Sequence, residues 1–200
     1  TLRFAWHERQ WDFATDNLPQ RETAFAKLAR LVRAQPRSQR DALVTRLCAA
    51  GGVDPLTCTR ELIMDWDELR AVAADPLVTI GAHSTAHHSL NRLTAEEVRD
   101  ELLDAKHQLE ARLGRQTQHL AYPFGGRNAI GSREFALAAQ CGFLTAMTTL
   151  SANLFRGHAR HLHALPRLVV SGNYPVQRLA WMDSGLIPAK TFHGRRIVAG

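Results

Sequence analysis

Val78-Thr79-Ile80-Gly81-Ala82-His83-Ser84-Thr85-Ala86-His87-His88 carries an apolar, β-branched run through a small-residue step into two histidines four positions apart. By composition, Val78 to Ala82 reads as a short buried strand. His83 and Ser84 then stand at its carboxyl end. Imidazoles four apart on a tight turn can aim at one point, and neutral imidazole is the commonest protein ligand for metals. Leu120-Ala121-Tyr122-Pro123-Phe124-Gly125-Gly126 has the same form, a strand entering a loop. Each stretch alone also has a plain structural reading. The histidines could be polar capping groups, and the second stretch a strand-ending turn with aromatic core residues.

The surroundings favour a shared rim. Thr94-Ala95-Glu96-Glu97 fits a capping box, followed by a helix with Val98, Leu102, Ala105, Leu109 and Leu113 on one stripe and Gly114 as its stop. His119 to Tyr122 reads as a strand. Ser132 caps a helix that ends at Gly142, and Phe143 to Thr149 and Leu165 to Ser171 read as further strands. Val176 to Met182 is a last helix before a polar tail. This alternation from residue 76 onward predicts an α/β fold with a parallel sheet, open or rolled into a barrel. Ligands of such folds bind at the carboxyl ends of strands, where both motifs fall.

Residues 1–75 read as mostly helical and 76–200 as the α/β part. Thr23 to Val32 has helical spacing, and Pro36 interrupts it. Ser38 is placed to cap a helix through Leu43, Val44 and Leu47 that Gly51-Gly52 ends. Leu62 to Ala74 reads as one more helical stretch, with Asp65 as a cap for its second part, and Asp75-Pro76 stops it.

Composition narrows the class. Apolar residues at 45% and charged residues at 22% suit a globular domain. No apolar run approaches the roughly 20 residues of a membrane span. The formal charge of +6 comes mostly from arginines scattered among acids, the densest cluster being Arg195-Arg196 with His193. No nucleic-acid-reading motif accompanies them, so a nucleic-acid partner is not expected. Cys48, Cys58 and Cys141 form no CxxC pair, which speaks against a zinc knuckle and slightly favours a reducing compartment.

Leu62 to Leu168 resembles the polysaccharide deacetylase family, the carbohydrate esterases with the NodB homology domain. His83-Ser84-Thr85-Ala86-His87 matches the family's H-[ST]-x-x-H, and Leu120-Ala121-Tyr122-Pro123-Phe124-Gly125 matches F-A-Y-P-Y-G of one subset. Arg133-Glu134-Phe135-Ala136-Leu137-Ala138-Ala139, Gly142-Phe143, Ala146 and Ala164-Leu165-Pro166-Arg167 follow in the family's order. The resemblance implies the C-terminal part of a distorted (β/α) barrel of the NodB type with a helical insert at the N-terminus. It implies hydrolysis of N-acetyl groups from amino sugars in an oligo- or polysaccharide, with a divalent metal, zinc or else cobalt or nickel. His83 and His87 would be metal ligands, with Ser84 bracing their loop. His88 reads by its position alone as a solvent-facing loop residue, because adjacent side chains diverge. The Phe124 N–H would meet the oxyanion, and Tyr122, Pro123 and Gly125 would line the substrate.

The chain also departs from that pattern. The family's T-F-D-D motif, which supplies a base and the metal's carboxylate, does not occur. Asp12, Asp16, Asp41, Asp65 and Asp67 are each read in helical or loop patterns. Ala121 stands where many members carry an arginine that holds the base, and Leu168-Val169-Val170-Ser171 lacks the general-acid histidine many members place there. The expectation is an N-terminally incomplete member with little or no activity as it stands. The rival is a non-catalytic carbohydrate-binding or scaffold remnant of the same fold.

Overall fold

The computed structural model describes residues 1–170, 172 and 174–184, and separates a unit Thr1–Asp65 from one beginning at Trp66. The first unit opens with a feature that helical spacing does not predict. Leu2–Trp6 (β1) and Arg9–Phe13 (β2) pair antiparallel, Phe4 opposite Trp11 and Leu2 opposite Phe13. The period of two places Phe4, Trp11 and Phe13 on one face, and the Phe4 and Trp11 rings stack at 6.2 Å. That face buries against Ala24 and Leu28 of α1 (Leu18–Ala34) and Leu43 of α2 (Arg37–Gly51). The connecting residues His7 and Glu8 both have positive φ, 47° and 55°. Hairpin turns of that kind are ordinarily marked by Asn-Gly or Asp-Gly, so this one carried no sequence signal. Asp12 therefore lies on a strand, not in a helix or loop, and is paired with Arg3 at 2.8 Å.

Asn17 caps α1 by accepting from the Gln20 N–H at 3.0 Å. For α2 the cap position is Pro36, two residues before the expected Ser38, and Gly52 closes the helix in left-handed geometry. Pro55–Leu62 forms α3 and Trp66–Ala73 forms α4. The stretch Leu62 to Ala74 is thus broken at Ile63, whose extended backbone ends α3.

The second unit is built on four parallel segments. His119–Ala121 (β3) pairs with Thr145–Met147 (β4), Leu120 opposite Ala146. Ala82 bridges Leu120 on one side, and Met147 bridges Leu165 on the other, both parallel. The spatial order of these segments follows the chain order. The expected strands are shorter than their sequence patterns, reduced to single bridges at Ala82 and Leu165. Beyond β4 the ladder passes partly to a side chain: Thr148, fully buried, sends both its N–H and its hydroxyl to Leu165 O at 2.8 and 3.1 Å. Ser171, His193, Arg195 and Arg196 lie outside the described residues.

Helices cover this array. In α5 (Ala95–Leu113) the capping box is complete, with Glu97 N–H to Thr94 Oγ1 at 3.2 Å and Thr94 N–H to Glu97 Oε2 at 2.8 Å. Val98 and Leu102 have no exposed surface and pack in one core with Leu90, Leu120, Tyr122 and Ala146. Each such aliphatic side chain contributes about 1.5–3 kcal/mol. In α6 (Ser132–Gln140) Ser132 is the first helical residue and Gly131 takes the cap position, its N–H donating to Glu134 at 2.7 Å. Val176–Asp183 forms α7. No helix among the described residues is long and apolar enough to cross a membrane.

Cys141 is buried in the core of the second unit, and burial pushes its thiol above the ordinary value, against the opposing pull of Arg99 and Lys106. Cys58 is exposed. A thiol reagent at pH 8 is expected to modify Cys58 within minutes and Cys141 only on addition of denaturant, because the thiolate is the reactive form. Mass mapping of the labelled peptides reads the order.

Candidate active site

Two backbone hydrogen bonds lay the two rim motifs side by side. Ala82 N–H donates to His119 O at 2.8 Å, and Ala121 N–H donates to Ala82 O at 2.9 Å. The segments approach closely because Gly81 faces the strand: a Cβ there would lie 3.1 Å from His119 O. One residue past the pair stands His83, and two past it on the neighbouring strand stands Pro123.

His83 directs Nδ1 at Ala121 O, 2.6 Å away. A carbonyl only accepts, so Nδ1 carries the proton and Nε2 keeps its lone pair. The chain then turns sharply. Ser84 and His87 both have positive φ, 58° and 52°, and the Ser84 hydroxyl accepts the His87 N–H at 3.1 Å. The turn returns the His87 ring to His83, with centroids 4.8 Å apart and planes at 68°. Both residues are exposed. His88, expected to face solvent, is instead buried at 9% exposure. The turn that brings His87 outward sends its neighbour to the opposite side.

The second motif makes a matching turn. Phe124 has φ 59°, and its exposed ring lies edge-on to His87 at 4.9 Å. Phe124 O accepts from the Thr149 hydroxyl at 3.1 Å, while Thr149 N–H donates to Gly125 O at 2.8 Å. The Phe124 N–H has no acceptor among the described residues. Of the five non-glycine residues with positive φ among the described residues, Ser84, His87 and Phe124 meet here. Such conformations cost about 1–3 kcal/mol each and collect at functional sites.

The structure corrects part of the expected substrate lining. Tyr122 has no exposed surface; its ring packs near Phe135 and its hydroxyl donates to His163 O at 2.8 Å. Burial, with the nearby Glu134 charge, raises its pKa well above the ordinary tyrosine value. Side-chain alternation explains the outcome, since Tyr122 shares the core-facing side with Leu120. Pro123 and Gly125 are likewise buried and act by shaping the turn. Of Tyr122, Pro123, Phe124 and Gly125, only Phe124 is exposed.

Sequence reading missed Glu101 and Thr149. Glu101 is 5% exposed, and its Oε2 accepts from Thr85 N–H at 3.1 Å and Ala86 N–H at 2.8 Å. A signal existed: an acid on the buried stripe between Val98 and Leu102. Thr149 carried none.

A family model described as polysaccharide deacetylase matches residues 39–145, more than half of the chain. The chain belongs to the polysaccharide deacetylase family. Its structure resembles a Streptococcus pyogenes deacetylase solved with acetate (TM-score 0.52, 19% identity, covering 60% of this chain and 50% of that one). It also resembles a polysaccharide deacetylase from Bacillus cereus (0.52, 20%, 60% and 36%). A third likeness is to a de-N-acetylase from Aggregatibacter actinomycetemcomitans (0.50, 12%, 62% and 54%). At these identities the likeness is one of fold, and the parallel array is a portion of the NodB-type (β/α) barrel. This polysaccharide deacetylase chain spans about half or less of the length of those structures. No curated protein matches it in sequence.

Gly125 has φ 34°, and a Cβ there would lie 2.8 Å from Thr149 N. Gly125→Ala is expected to cost about 2 kcal/mol through strain and this backbone clash. Chemical denaturation of the two proteins measures it. A loss under a few tenths would mean that the turn is free to relax.

Proposed function

We propose that this rim serves metal-dependent removal of N-acetyl groups from amino sugars in an oligo- or polysaccharide. In this reading His83 and His87 are two imidazole ligands of a divalent ion, and the Phe124 N–H donates to the oxyanion. The observation that carries it is the His83–His87 ring pair at 4.8 Å with His83 Nδ1 committed to Ala121 O. Imidazole suits zinc, and also cobalt or nickel.

The donor set fits such an ion in part. Among the described residues no group of three or more His, Cys, Asp or Glu is placed to hold one, whereas a catalytic zinc site takes three protein ligands. When bound, such an ion would act as a Lewis acid toward the amide carbonyl and would make water more acidic. The chain's own residues do the rest. His83 holds its proton on Nδ1 and so presents Nε2. The Phe124 N–H, which has no acceptor among the described residues, would donate to a carbonyl oxygen as charge develops there. The exposed Phe124 ring offers an apolar face to a pyranose.

Titration with zinc or cobalt is expected to give measurable binding in the parent. His83→Ala and His87→Ala should each weaken it by more than the roughly 10- to 100-fold that outer-shell losses cost. Equal affinity in all three proteins would remove the reading. Loss of a general base costs about 10²–10⁴-fold. With no group of three or more His, Cys, Asp or Glu placed to hold an ion among the described residues, acetate release from N-acetylglucosamine oligomers is expected to fall below a complete site by about that factor. Release at ordinary enzymatic rates would overturn this expectation.

The incomplete donor set and the exposed Phe124 ring also favour a second reading, a carbohydrate-binding rim without hydrolysis. Saturable binding of the same oligomers, insensitive to chelator and without acetate release, would support it.

A further inference from the structure

We infer that Glu101 is a positioning residue for the two histidines, acting through the backbone of the turn between them. The inference rests on the reading of His83 and His87 as metal ligands. Ser84 and His87 bracket Thr85 and Ala86, and both bracketing residues are in left-handed conformations that a free loop would relax. The turn has one internal side-chain hydrogen bond, Ser84 Oγ to His87 N–H. Its other ties run to α5: Thr85 N–H and Ala86 N–H both donate to Glu101 Oε2, and the Thr85 hydroxyl donates to Glu101 O at 3.2 Å.

One side chain therefore receives the two N–H groups at the apex of the turn. It does so from a rigid base, because Val98, Leu102 and Ala105 of the same helix are in the core. A carboxylate at 5% exposure is costly unless hydrogen-bonded. Charge-assisted bonds to backbone N–H groups offset that cost and are about twice as strong as neutral ones. The geometry fixes what substitution should do. Glu101→Gln keeps an acceptor oxygen of the same reach. Glu101→Leu keeps volume and removes the acceptor, leaving two N–H groups free to turn to water and the strained residues free to relax.

The test uses the full chain and zinc or cobalt as the probe, with metal affinity, melting temperature and amide exchange read together. Glu101→Gln is expected to bind metal within about threefold of the parent. Glu101→Leu is expected to lose about 10- to 100-fold, the range for outer-shell partners. In the parent, the amides of Thr85 and Ala86 should exchange slowly although both residues are exposed, and in Glu101→Leu they should exchange freely. Unchanged metal affinity and unchanged exchange in Glu101→Leu would overturn the inference. Should that variant fail to fold, unprotected Thr85 and Ala86 amides in the parent would overturn it, and protected amides with Gln rescue would support it. Should the parent bind no metal, the ligand reading fails by itself, and amide exchange in the parent and in Glu101→Leu still decides whether Glu101 holds the turn.

Discussion

The two hydrogen bonds that Ala82 exchanges with β3 set every distance on the rim. They fix the register between a strand segment that ends in His83 and one that runs into Pro123-Phe124. The Ala121 carbonyl is left facing the first histidine, and it takes the Nδ1 proton at 2.6 Å. A slip of one residue would send side chains to opposite faces. His83 would lose its acceptor, and Tyr122, now buried with Leu120, would be turned out of the core. The tautomer of a candidate ligand and the packing of a core tyrosine thus depend on one parallel bridge.

That bridge places the turns but does not hold them in shape. Three left-handed non-glycine residues in two short turns amount to several kcal/mol of strain by ordinary costs. Polar side chains beside the turns absorb it. Glu101 grips the first turn from α5, and Thr149 grips the second by its hydroxyl and its amide. Each restraint comes from chain anchored in the core, Glu101 between buried Val98 and Leu102 and Thr149 between buried Thr148 and Leu150, so core rigidity is passed to an exposed surface. Rim precision here is a property of the layer beneath the rim.

This layering explains what the sequence disclosed. The α5 capping box, its apolar stripe and the order of strand segments were legible because local periodicity and capping chemistry determine them. The two rim turns were legible because strand ends with His or Pro-Gly residues mark a change of direction. The hairpin Leu2–Phe13 was hidden by its turn, since His7 and Glu8 adopt a geometry that side chains rarely choose. Tyr122 looked like a rim residue because it neighbours one, and only the pleat decides which neighbour points inward. His88 was misplaced because the left-handed turn before it, not a local pattern, decides which way it points. Glu101 lay in plain sight as an acid on a buried helical stripe, but its partners are 15 and 16 residues away in sequence. No local pattern encodes that distance.

On the proposed reading, the donor set itself carries a consequence. Two neutral imidazoles would leave a divalent ion with its full charge, where a third, carboxylate ligand would cancel part of it. The ion would be a stronger electrophile but more weakly held, because the carboxylate contributes much of the electrostatic attraction. Holding the imidazoles in place beforehand offsets some of that weakness, since less ordering is then lost on binding. The acceptor on His83 and the grip on the 84–87 turn both act in this direction. They matter more at a site with two protein ligands than at one with three, where the third ligand would itself restrain the ion.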